Sequence, residues 1–199
     1  MVMVQVQLTA DDWARAALAA FGEGGLAAVA VQPLAVRLGV TKGSFYWHFP
    51  TREALITAAL KLWEQITTEG TIAALEAEPD PVMRLRMLFA RVSHSAGSQY
   101  KVEIEVRAAS ANPIVATVLR RVEQRRLSYT IELFEQIGFG PAEAVRRGIL
   151  GYTAYVGHSE IAARLPDLLP MESAGGLTTY VDTVLELLLD GRALVRPRY

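Results

Sequence analysis

Between residues 37 and 52 the chain gathers side chains suited to touching a polyanion. Arg37, Lys42 and Arg52 are basic, His48 can become so, and Thr41, Ser44, Tyr46 and Thr51 carry hydroxyl groups. No acid lies between Glu23 and Glu53, so this is a local basic surface on a chain whose formal net charge is only −1. That balance suits a small, specific set of phosphate contacts rather than a general coating of nucleic acid. Catalytic chemistry is poorly represented. The absence of cysteine excludes a disulfide framework, a thiolate metal site and a thiol nucleophile, and fits a reducing cytosol. His48, His94 and His158 are far apart in sequence and leave no metal-spaced cluster. G-x-S-x-G, P-loop and dinucleotide glycine patterns are missing too, so no enzyme, cofactor or metal is expected.

Residues that touch DNA need a rigid frame, and the flanking sequence supplies one. A helix-turn-helix requires a small residue where its two helices meet, a glycine free to take positive φ in the turn, and an apolar anchor on the second helix. Ala35, Gly39 and Phe45 meet these needs, within a motif at about residues 29–48, and Leu34, Leu38, Val40 and Phe49 complete the inward face. Helical spacing then puts Lys42, Gly43, Ser44 and Trp47 on or near one exposed side, with Tyr46 and His48 able to reach the DNA backbone beside it. Small residues at the start of the second helix let its backbone approach base edges, where its amides favour phosphate. Arg52 sits in the first turn of the following helix, against the helix dipole, and a nearby phosphate would explain that placement.

From Leu8 to Leu60 the sequence resembles the tetracycline-repressor (TetR) family of one-component regulators. The likeness is carried by Phe21-Gly22-Glu23-Gly24-Gly25-Leu26, by the run from Leu34 to Phe49, and by Arg52-Glu53-Ala54-Leu55. The resemblance implies a homodimer that binds double-stranded operator DNA and responds to a small-molecule effector of unknown identity, most simply a repressor, with an activator of the same fold as the alternative. It implies that Lys42, Gly43, Ser44 and Trp47 face the groove, that Gln32, Arg37 and Thr41 lie near it, and that Tyr46, His48, Thr51 and Arg52 hold phosphates. One departure is Ala30, where the family usually has a hydroxyl residue capping the second helix. A helical enzyme or an adaptor without DNA activity would leave the exposed Lys42, Tyr46, Trp47, His48 and Arg52 without a purpose.

Behind this segment, apolar residues recur at helical spacing and turn signals separate the runs. Thr9 caps a first helix ended by Gly22 to Gly25, and Thr51 caps a long helix running to about Thr71. Pro79-Asp80-Pro81 is a break. Val102 to Arg107 alternates as a strand does, but with no second strand to pair with it is assigned to a helix. Asn112-Pro113 opens a helix closed after Ile137 by Gly138, Pro141 opens another to about Arg164, and a last one spans about residues 173–189. The expected fold is all-α with about nine helices, a DNA-binding domain over 1–54 and an effector and dimerisation domain over 55–199. Two stripes of like spacing, Val145/Ile149/Tyr152/Val156 and Leu177/Val181/Val184/Leu188, are the expected dimer interface, with Ala144, Gly148 and Gly151 allowing close helix approach. Trp63, Phe89, His94, Tyr100, Arg107, Phe134, Tyr155 and His158 are the candidates to line an effector cavity, although Arg107 can instead pair with Glu103 or Glu105. The opening residues lack a basic segment followed by an apolar core, and no apolar run reaches the roughly 18 residues of a membrane helix, so a cytoplasmic protein without membrane contact is expected.

Overall fold

The computed structural model describes residues 8–93, 98–165 and 174–190, and these are mostly helical, with no strand among the described residues. The elements are α1 (Ala10–Ala28), α2 (Val31–Arg37), α3 (Lys42–Tyr46), α4 (Arg52–Glu64), a π-helical turn (Gln65–Glu69), α5 (Gly70–Glu76), α6 (Pro81–Ser93), α7 (Ser98–Ala108), α8 (Pro113–Ile137), α9 (Pro141–Arg164) and α10 (Ala174–Leu189). Gln65 and Glu69 keep right-handed helical backbone, so α4, the wide turn and α5 form one run, and there are nine separate helices among the described residues. Local chemistry accounts for the wide turn. The Thr67 hydroxyl donates to the Trp63 carbonyl at 2.8 Å inside a β-branched stretch, competing with the main-chain ladder. Contacts divide the chain into two units, one of residues 1–67 and 97–121, the other of 68–96 and 122–199.

In the first unit α1 lies against α4 and α7, and α2 packs on both α1 and α3. A capping box opens α1: Asp12 N–H donates to the Thr9 hydroxyl, and the Asp12 carboxylate accepts from Thr9 N–H at 2.8 Å. Those hydrogen bonds from Thr9 hold the Asp12 carboxyl below the usual range. The expected stop at Gly22 to Gly25 is a kink instead, because Gly24 and Gly25 leave helical geometry and the helix resumes to Ala28. α7 crosses α1 so closely that a Cβ at Gly22 would lie 2.8 Å from Val102 Cγ2. Val102 and Val106, one turn apart, are buried, which is how a strand-like alternation is satisfied by a helix.

The second unit is built on α6, which packs against α5, α9 and α10. Its core joins Leu75, Leu85, Phe89, Leu133, Phe134, Ile137, Val181, Leu185 and Leu188. α8 closes with Gly138 at φ +107: Gly138 N–H donates to Glu135 O at 2.9 Å and Phe139 N–H to Phe134 O at 3.1 Å. The Phe139 ring then meets Phe134 edge-on at 5.9 Å, the apolar contact that accompanies this left-handed helix end. Pro141 starts α9 two residues later, as expected. Gly148 in α9 is pressed against α8, where a Cβ would stand 2.5 Å from Ile131 Cγ1 and 3.3 Å from Ile131 backbone. Gly148→Ala should therefore lower unfolding stability by about 1–3 kcal/mol through overpacking, read as a lower denaturant midpoint with unchanged slope. A midpoint equal to that of the wild type would mean that the α8–α9 contact is looser than described.

Candidate nucleic-acid interface

Two helices too short to stand alone are held by backbone turns and one aromatic anchor. At the end of α2, Gly39 takes φ +69, its N–H donates to Val36 O at 3.1 Å, and Val40 N–H donates to Ala35 O at 2.9 Å. This pair of bonds closes α2 and turns the chain into α3, and only a residue that tolerates positive φ serves there. On α3, Phe45 is fully buried, edge-on to Trp13 of α1 at 5.4 Å and stacked near Phe49 at 5.9 Å. With Phe45 turned inward, the helical repeat turns its neighbours outward. Trp47 is 90% exposed and Tyr46 is 57% exposed. Thr41, Lys42 and Gly43 are exposed, while Ser44 and His48 are half-buried. On α2, Leu34 and Ala35 face inward, and Gln32 and Arg37 are exposed. The sequence reading missed Val36, which is 70% exposed beside Arg37. Its place, one residue past the buried Leu34-Ala35 pair, was the available signal. Ala30 caps α2 without a side-chain hydrogen bond, as its missing hydroxyl implied.

The basic groups are less available than their sequence positions suggest. Arg52 is turned away from solvent: its Nε donates to Val29 O and an Nη to Leu26 O, each at 2.5 Å. Its charge thus meets the carbonyl end of α1, where a cation is favoured, although it stands at the unfavourable end of its own helix. This replaces the phosphate that was expected to explain Arg52. Arg37 is also occupied, in a two-pronged contact with Glu23 of α1 at 2.7 and 2.8 Å. The hydrogen bond from Arg37 is the main reason that the Glu23 carboxyl lies below its usual range. Lys42 remains exposed on α3. Thr51 is exposed, and its hydroxyl accepts from Ala54 N–H at 3.2 Å to cap α4.

The candidate effector residues are divided between the two units. Trp63 and Arg107 belong to the first unit, and Phe89, Phe134, Tyr155 and His158 to the second. His94 and the side chain of Tyr100 lie outside the described residues. Trp63 is fully buried. Arg107 pairs with the buried Glu103 at 3.1 Å, the alternative noted from sequence. Phe134 is committed to the α8 terminus, and Phe89 lies where a Cβ on Gly151 would meet its ring at 3.1 Å, so both act in packing. Tyr155 is placed differently: its hydroxyl lies 3.4 Å from an Arg126 nitrogen, and Arg126 Nε donates to the buried Thr68 hydroxyl at 2.9 Å. Thr68 and Arg126 were not anticipated, because nothing in their own sequence neighbourhoods marks them as partners. His158 stacks on Tyr180 with centroids 5.1 Å apart, and burial pushes its imidazole below the usual histidine range.

The two stripes divide unequally. Val145 and Ile149 are exposed on α9, and Tyr152 and Val156 are half-buried. On α10, Val181 and Leu188 are spent on the unit's own core, Val184 packs partly against it, and the side chain of Leu177 lies outside the described residues. Leu187, 72% exposed, is the large apolar residue turned outward there. Ala144 is fully buried, and Gly148 and Gly151 pack against their own chain, so these small residues do not serve an approach by a partner.

A turn-linked pair of short helices with a buried anchor and an outward polar and aromatic face defines a helix-turn-helix DNA-binding protein. Residues 14–62 match the family model for bacterial regulatory proteins of the tetR family. The chain is 27% identical over 201 residues to the HTH-type transcriptional regulator TtgR of Pseudomonas putida, covering 92% of this chain and 93% of that one. The chain is thus similar to tetR-family transcription regulators, through its DNA-binding segment and along most of its length. Its fold is shared with a transcriptional regulator from Rhodococcus sp. Rha1, at a TM-score of 0.74 and 22% identity over 92% of this chain and 97% of that one. It is shared also with AibR, solved in complex with isovaleryl coenzyme A and operator DNA, at a TM-score of 0.61 and 17% identity over 88% and 97% of the two chains. No described helix is long and apolar enough to cross a membrane.

The Arg52 contacts yield a direct expectation. Arg52→Ala leaves two main-chain carbonyls at the end of α1 without their charged donor, and should lower stability by about 1–3 kcal/mol in denaturant unfolding. Trp47→Ala, which removes an exposed side chain, should stay within about 0.5 kcal/mol of wild type. An Arg52→Ala variant as stable as wild type would show that the arginine does not brace α1.

Proposed function

We propose that this regulator is a dimeric repressor that reads operator DNA through α3 and is released by a small molecule. The carrying observation is Trp47, an indole held 90% exposed on the same short helix whose Phe45 is locked into the core. Lys42, Gly43, Ser44 and Trp47 form the face toward the major groove, and Tyr46, His48, Thr41 and Thr51 line its edges with donors for phosphate. Residues 1–54 carry this task, and residues 55–199 supply the effector site and the partner surface. For the partner surface, the candidates are Val145, Ile149, Tyr152 and Val156 of α9 and Val184 and Leu187 of α10, apolar side chains left exposed or half-buried, as two-fold helical interfaces use. For the effector, the Thr68–Arg126–Tyr155 group offers polar anchors, with His158 close to neutral as a further hydrogen-bonding group. The AibR complex, which holds both a small molecule and operator DNA, supports the same two-ligand arrangement here.

Trp47 is also the test. Trp13 and Trp63 are buried, so acrylamide quenching reports chiefly on Trp47. Adding duplex DNA should protect that fluorescence, and Trp47→Phe should abolish the change. Once a thermal-shift screen has found a binder, it should weaken duplex binding roughly 5- to 150-fold, and duplex should weaken its binding by the same factor. Unchanged quenching at saturating DNA would remove α3 as the reader. Equal effector affinities with and without DNA would remove the switch alone.

A further inference from the structure

Among the acids of the first unit, Glu23 is the one paired with a basic residue of α2. Glu23 stands at the kinked end of α1, next to the glycine pair, and reaches across to α2 to take both prongs of Arg37. Both side chains are about half exposed, at 46% for Arg37 and 59% for Glu23. An exposed pair of this kind adds little to folding, so stability alone is a weak reason for its two-pronged geometry. Its effect on charge is larger. Arg52 is turned inward to main-chain carbonyls, so Arg37 and Lys42 are the permanent cations left on α2 and α3. Pairing with Glu23 removes one of these two from the field that a phosphate meets.

We infer that Glu23 is a built-in restraint on DNA affinity, holding Arg37 in an internal pair that phosphate must break. The inference rests on α3 being the DNA reader and deepens that reading by setting how strongly the protein grips DNA of any sequence. Backbone contacts dominate sequence-independent affinity, and a restrained cation lowers that affinity while leaving base-edge contacts alone. A regulator with weaker non-specific binding loses less of itself to competing DNA, so the acid favours discrimination at the expense of grip.

The test uses full-length protein and a mixed-sequence duplex, whose binding is almost wholly electrostatic. Glu23→Gln should raise duplex affinity about three- to tenfold at low salt and steepen the log–log salt slope by about 0.9 per protomer. Arg37→Gln in the wild-type background should lower affinity, because it leaves the Glu23 carboxylate unpaired in the field that a phosphate meets. The Glu23→Gln/Arg37→Gln double variant should lose the gain, which separates Arg37 from Lys101, a second cation whose charge acts on Glu23. Thermal midpoints of all three should stay within about 2 °C of wild type, as expected for an exposed pair. An unchanged affinity and slope in Glu23→Gln would overturn the restraint while leaving wild-type duplex binding in place. So would a double variant that kept the whole gain, since the gain would then owe nothing to Arg37. Absence of duplex binding by every form, with folding intact, would overturn the DNA reading and the restraint with it.

Discussion

The recognition end depends on one packing contact, the edge-on meeting of Trp13 and Phe45. α2 and α3 have seven and five residues, lengths at which an isolated helix is marginal in water. Their geometry must come from outside themselves. The glycine turn at Gly39 sets the angle between them, and Phe45 fixes α3 to α1 by filling a site already walled by Trp13 and Phe49. Since α3 is little more than one turn long, fixing that single side chain fixes the direction of every other. The exposure of Trp47, Tyr46 and Lys42 is a consequence of where Phe45 goes.

Charge is distributed with similar economy. A cation at the start of a helix is ordinarily misplaced, yet Arg52 stabilises a different helix by meeting the carbonyl end of α1. This ties the beginning of α4 to the junction between α1 and α2, where Ala30 provides no side-chain cap. The same junction carries Glu23, one turn before Leu26, whose carbonyl Arg52 takes. Two of the three basic residues near the motif are therefore engaged inside the first unit, and shape and aromatic surface carry more of the proposed interface than charge does.

Much of this was legible because it is written in local chemistry. Thr9, Pro113, Pro141, Gly39 and Gly138 act within a few residues of themselves, and the helix limits that they implied agree with the structure to within a residue or two. Partners distant in sequence were not legible. Arg52 meets carbonyls 23 and 26 residues away, and Arg126 meets a threonine 58 residues away, with no spacing rule that links them. Periodicity also has a specific blind spot. It identified an apolar stripe on α10 but could not say which side of it faces the chain's own core, so Val181 and Leu188 were assigned to a partner while Leu187 was passed over. A helix with apolar residues on two faces offers the same 3.6-residue signal to both neighbours.

Selection of tight binders from a random-sequence duplex library tests the central claim most directly, because it asks at once whether α3 reads bases and whether two copies do so together. The expected result is an enriched inverted repeat, with half-site centres about one helical turn, or a multiple of it, apart, and with the preference at individual positions altered by Trp47→Ala or Lys42→Ala. Enrichment of no shared sequence, or of an inverted repeat that is indifferent to both substitutions, would contradict the claim that α3, positioned by Phe45, is the reading element.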